Sequence, residues 1–126
     1  MQYTELMSEL ASRLQLSGLS PLGERCALRF DDVVVHFTHQ PTLRAVDLYA
    51  PLGHADMGRP GMLDALGQVR EHTSLFHWDE HGALSLRQRF HLQAMVFPPF
   101  FKAIERFINL ADHWRQQFAT GKVPVA

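Results

Sequence analysis

The sequence predicts a single α+β domain built on a twisted antiparallel sheet, in the order α-β-β-β-α-β-β-α. Three observations predict it. Apolar residues recur at steps of three and four in three separate segments, the signature of helices with one buried stripe. Between them lie short runs in which apolar and polar residues alternate, the period of a half-buried strand. The connections between consecutive strands are too short for parallel crossovers, so neighbouring strands run antiparallel. The 126 residues fit one domain, 46% of them hydrophobic, which is enough for a real core. A core of this size is still marginal in surface-to-volume terms, so association would help it.

The first helix is expected over about Thr4 to Leu16, where Leu6, Leu10 and Leu14 form a stripe flanked by Met7 and Ala11. Gly18 ends it and Ser20-Pro21 opens a loop. In CALRF, Cys26, Leu28 and Phe30 alternate with Ala27 and Arg29, and Asp31-Asp32 forms a tight turn. VVVHFTH follows, with Val33, Val35 and Phe37 on one face and Val34, His36 and Thr38 on the other, until Pro41 breaks it. A third strand, about Leu43 to Ala50, completes a meander. PLGHADMGRPG is loop by its Gly and Pro content. The second helix spans about Pro60 to Glu71, with Met62, Leu66 and Val69 as its stripe and Pro60 in the first turn. SLFHW and ALSLRQRFHL form a hairpin around the turn DEHG. Leu84, Leu86, Phe90 and Leu92 share one face, Arg87, Arg89 and His91 the other, and Gln88 is a misfit on the apolar side. The third helix opens at Pro98-Pro99 and runs to about Ala119, where Gly121 and Pro124 mark its end. Ile104, Phe107, Ile108, Ala111, Trp114 and Phe118 carry its apolar face. No linker, repeat or low-complexity tract interrupts residues 1–126, and the first few residues and 120–126 are expected to fray.

Composition narrows the function. Twelve basic against thirteen acidic residues leave a net charge of −1, which gives no electrostatic pull toward nucleic acid or anionic membrane. Cys26 stands alone, so no internal disulfide forms and a reducing compartment is expected. The start MQYTELMSELASRLQLSG lacks the uninterrupted apolar run of a secretory signal, and no run is long enough to span a bilayer. The expectation is a soluble cytoplasmic protein.

Catalytic motifs are missing. His36 and His39 point to opposite strand faces, while His77 and His81 flank a turn and could converge, but no third ligand stands at a metal-site spacing. Gly53 and Gly58 echo a phosphate loop faintly, yet Arg59-Pro60 occupies the place of its Lys-Ser/Thr. Asp79 and Glu80 are adjacent in a turn, and Cys26 alternates onto the core face, where a thiol is inert. One competing reading uses the Arg87, Arg89 and His91 face as a small nucleic-acid-binding or regulatory surface; another is an enzyme built on a His pair. A stronger signal is surplus apolar surface. Leu75 and Phe76 point to opposite sides of one strand, and Val34 opposes Val33 and Val35. Helices on one side of a single sheet would leave part of this exposed, and such clusters mark partner surfaces.

RFDD-VVVHF, the strand-loop YAPLG, the short helix MLDALGQV, the hairpin HWDEHGALSL and the final FINLADHW together resemble the class I type III secretion chaperones of the Tir-chaperone type. The resemblance covers about Leu6 to Phe118, and Phe107, Ala111 and Trp114 match the family's F-x-x-x-A-x-x-W pattern. Such chaperones are usually distinctly acidic, whereas this chain has a pI of about 6.7 and eight histidines. The resemblance implies a bacterial cytoplasmic homodimer without enzymatic activity, cofactor or metal. It would hold the N-terminal region of one or a few secreted effectors extended and soluble for the secretion apparatus. It further implies that Met62, Leu66, Val69, Phe76 and Trp78 make the dimer contact. Leu10, Leu14, Phe30, Val34, His36 and Leu48 would contact the effector, with Val34 and His36 the sharper candidates. The last helix is expected to pack on its own core rather than to meet the client.

Overall fold

In the computed structural model, residues 2–14 and 24–119 are described. Leu16, Gly18, Ser20-Pro21, Gly121 and Pro124, where the sequence places helix ends and a loop, fall outside them. The elements are α1 (Tyr3–Arg13), β1 (Arg25–Phe30), β2 (Val33–Gln40), a 3-10 turn (Pro41–Leu43), β3 (Ala45–His54), α2 (Met62–His72), β4 (Phe76–Trp78), β5 (Ala83–His91) and α3 (Phe97–Ala119). The five strands form one antiparallel sheet in the order β1-β2-β3-β5-β4. The fold class and element order are those the periodicities predict.

Local chemistry explains the joints. Phe30 pairs with Val33 across a two-residue turn, and Asp31 takes φ 55 there, a left-handed conformation that Asp tolerates better than most residues. Pro41 ends β2 as expected and starts a single 3-10 turn, with Arg44 left-handed at its close. Leu43 therefore lies outside β3 and is 50% exposed. At its other end β3 runs four residues past Ala50, into the segment whose composition predicts loop. The reason is non-local: β5 supplies hydrogen-bonding partners as far as His54↔Ala83, and a bulge between Pro51 and Gly53 absorbs the missing Pro N–H. Pro60 falls just before α2, whose first intrahelical bond runs from Ala65 N–H to the Gly61 carbonyl. Pro98 and Pro99 occupy the first turn of α3.

Alternation sorts the sheet into two faces. Val33, Val35 and Phe37 of β2, Leu48 and Ala50 of β3, and Leu84, Leu86 and Phe90 of β5 join the buried faces of all three helices in one core. Phe107 and Ala111 of α3 are buried in it, while Trp114 and Phe118 are half-buried and reach Phe76 and His72 of the α2–β4 region. The other sheet face carries half-buried Val34 and Tyr49 and exposed His36, Arg87 and Arg89, so among the described residues the helices cover one side of the sheet.

Candidate functional site

The two borders of the sheet differ. On the β4 side, Arg87 N–H donates to the Leu75 carbonyl and Asp79 N–H to the Ala83 carbonyl, so Phe76 points its backbone away from β5. Both groups are nonetheless satisfied: Phe76 N–H donates to the Thr73 carbonyl at 3.2 Å, and its carbonyl accepts from Arg70 Nε at 3.2 Å. At Phe76, then, this border is closed by its own chain.

The β1 border is open. His39 N–H donates to the Glu24 carbonyl at 2.7 Å, which sets the register: Cys26, Leu28 and Phe30 bond to β2, and Arg25, Ala27 and Arg29 turn their backbone N–H and C=O groups outward. Among the described residues no strand pairs with them. Such a row is a ready template for an added strand.

Beside this border, α1 and α3 part to leave a cleft of about 230 Å³. Leu10 and Ile104 form its floor, Leu14, Phe30, Phe101 and Ile108 its half-buried walls, and Glu105 and Asn109 its rim. Apolar walls with a polar rim suit an apolar side chain on a peptide with a solvated backbone. Three residues expected to contact an effector, Leu10, Leu14 and Phe30, thus meet at one place. Val34 and His36 lie on the open sheet face instead. Leu48 is 1% exposed and packs inside the protomer. Phe101, Ile104 and Ile108 of α3 complete the cleft, although the sequence reading assigned that helix wholly to the core. The signal was present: its apolar stripe is wider than one packing face needs.

The residues expected at a dimer contact are mostly interior. Met62, Leu66, Val69 and Phe76 are between 0 and 3% exposed within a single protomer. Trp78 is half-buried beneath the Arg70 guanidinium, 4.1 Å from its ring. The apolar residue that α2 turns outward is Leu63, 62% exposed.

The remaining polar candidates are engaged separately. Arg89 binds Asp47 through two bonds of 2.6 and 2.9 Å, and this bonding holds the Asp47 carboxyl below its usual range. Arg87 lies over the Tyr49 ring at 5.1 Å, and Tyr49 also meets His36 at 5.5 Å. His77 is half-buried, and desolvation, then Arg87 and Arg70, lower its pKa. His81 is exposed and faces Glu80 at 3.5 Å, so the two hairpin histidines serve different partners. On the helix side Tyr3 stacks on His39 at 4.2 Å and bonds the Cys26 thiol; burial raises both the phenol and the thiol. Asp79 closes the hairpin turn by accepting from the backbone of His81 and Ala83, a structural task.

An open sheet border beside an apolar cleft is a surface suited to an extended peptide. The chain is similar in fold to the ExsC–ExsE complex (22% identity, TM-score 0.70, covering 92% of this chain and 96% of that one). It is also similar to the HopA1–SchA chaperone–effector complex (15% identity, TM-score 0.67, 90% and 93%). A third likeness is to the Yersinia pestis type III secretion chaperone SycH with a fragment of YscM2 (16% identity, TM-score 0.62, 90% and 99%). No curated protein matches the chain in sequence. The profile of the Tir chaperone protein (CesT) family matches residues 5–115, and the chain belongs to that family.

Proposed function

We propose that this protein is a cytoplasmic, homodimeric type III secretion chaperone, without catalytic activity, that binds the N-terminal region of a secreted effector in extended form. The observation that carries the reading is the β1 border, unpaired among the described residues, beside the Leu10–Phe30–Ile108 cleft. Fixing an extended client loses about 1–2 kcal/mol of backbone entropy per residue, and one buried Leu or Phe returns about 1.5–3 kcal/mol. A single anchor therefore offsets only one or two ordered residues. The client needs backbone bonds as well, and Arg25, Ala27 and Arg29 offer them. Alternate client side chains then enter the cleft on the helix side and lie over Ala27 and Val34 on the other. No nucleotide is required, because binding itself keeps the segment unfolded and soluble. The nucleic-acid alternative is weaker, because Arg89 is already paired with Asp47.

The test is capture of the client from the native cytoplasm, followed by mapping of the protected segment. Ile108→Asp places an unpaired carboxylate in the cleft wall and is expected to abolish capture while leaving the circular dichroism spectrum unchanged. Affinity for the mapped segment should change little between about 50 and 200 mM salt, whereas a phosphate-bound ligand would lose several powers of ten. Undiminished capture by Ile108→Asp, or a protected segment outside the effector's N-terminal region, would sink the proposal.

A further inference from the structure

We propose that the β1 border selects its client by charge, taking an extended segment with acidic residues at two positions four apart, one beside Arg25 and one beside Arg29. This selection rests on the client reading above and adds to it a rule for which sequences the border accepts.

The pleat fixes the geometry. Cys26, Leu28 and Phe30 of β1 pack toward the helices, so Arg25, Ala27 and Arg29 face the open side of the sheet, all three exposed. These are also the residues whose backbone groups turn outward. A strand added there sets one residue beside each of them, with Cβ atoms about 4.5–5.5 Å apart. Arg25 and Arg29 stand four residues apart, about 13 Å along the strand, so the two client acids must keep the same spacing. Parallel and antiparallel addition give the same pattern, because side chains alternate with period two in both. The residue next to each acid, on the inner side of the pair, turns toward the apolar side of β1. The accepted pattern is therefore acid, apolar, any, apolar, acid.

Charge identifies the occupant. Neither Arg25 nor Arg29 has an ion-pair partner among the described residues. Arg29 Nε donates to the Asp31 carbonyl at 2.9 Å, which steadies the side chain and leaves its terminal amino groups for a carboxylate. The β2 residues across from the border supply no negative charge on this side: Thr38 is opposite Arg25, His36 opposite Ala27 and Val34 opposite Arg29. Asp47, the acid that β3 adds to this face, is bound to Arg89. Glu24 lies toward His39 instead, at 3.8 Å.

The same two arginines turn away a second copy. Antiparallel pairing of two β1 strands about Ala27 would set Arg25 of each copy opposite Arg29 of the other, like charges at both ends. Charged side chains guard sheet edges in this way. A border that repels itself and attracts acids discriminates by both means at once. Ala27, small and exposed between the two cations, leaves room there for a large client side chain to lie toward Val34 and His36.

The experiment selects a phage-displayed library of random peptides on the full wild-type chain and on the Arg25→Glu, Arg29→Glu double variant. Wild type should enrich peptides with Asp or Glu four apart around apolar residues, and the variant should enrich Lys or Arg at the same two positions. In a synthetic copy of a peptide enriched on wild type, replacing both acids by Lys should weaken binding to wild type by about tenfold and strengthen binding to the variant by a similar factor. That gain cannot come from an unfolded variant; if the variant does not fold, the acidic and Lys peptides on wild type decide alone. Peptides that protect the amides of Arg25, Ala27 and Arg29 from exchange yet bind equally well with either charge overturn the charge rule and leave client addition to this border standing. Enrichment of no peptide, or of peptides that leave those amides unprotected, removes the border reading as well.

Discussion

Leu66→Ala separates core from interface most directly. Leu66 is 0% exposed in one protomer, in the core cluster that includes Met62, Val69 and Phe76. Its apolar partners are thus already inside the chain. Truncation loses the transfer free energy of the removed carbons and leaves a cavity, a loss of about 2–5 kcal/mol for a buried leucine. Unfolding entropy of about 2.1 cal/mol/K per residue over this chain gives roughly 0.26 kcal/mol per degree. A loss of about 3 kcal/mol therefore lowers the melting temperature by roughly 11 °C. Leu63→Ala, at a site 62% exposed, should change folding stability by no more than about 0.5 kcal/mol. Thermal melts followed by circular dichroism at fixed protein concentration, with sedimentation on the same samples, read stability and self-association. If Leu66→Ala melts close to wild type but sediments as a monomer, Leu66 faces a partner rather than the core of its own chain.

Two further outcomes are expected. Asp47→Asn removes the paired carboxylate of Arg89, and because the pair is partly solvated the loss is under about 1 kcal/mol near neutral pH. The folded carboxyl is depressed, so its stabilisation is complete above the unfolded value of about 4 and disappears as pH falls through the folded one; wild type and variant should melt alike in strong acid, and a gap that persists there assigns the effect to packing. Burial raises the Cys26 thiol, so the pH midpoint for its alkylation in the native protein should lie above that of the unfolded chain, and a midpoint at or below it would contradict the packing around Tyr3.

Much of the architecture was legible in advance because period is a local property. Val33, Val35 and Phe37 against Val34 and His36 gave the two faces of β2 without any tertiary information, and Asp31-Asp32 gave the turn. The far end of β3 was not legible, since Pro51 and Gly53 carry loop chemistry and only pairing with β5 overrides it. The site was half legible. Leu10, Leu14 and Phe30 are legible in the sequence, whereas Ile104 and Ile108 read only as part of the core stripe of α3 and Phe101 carries no signal of its own, because a wide stripe does not say which of its edges stays open.

The sequence by itself determined which segments are helix or strand, their order, and membership of a chaperone family. Those follow from side-chain spacing and short motifs, which need no knowledge of what lies across the chain. Only the tertiary structure decided that the stripe of α2 is spent on its own core, leaving Leu63 outward, and that Arg70 closes the β4 border at Phe76 while no described strand pairs with the β1 border. The reason is that a stripe reports only that a face is apolar. Whether its cover comes from the same chain or from another molecule depends on contacts between residues far apart in sequence.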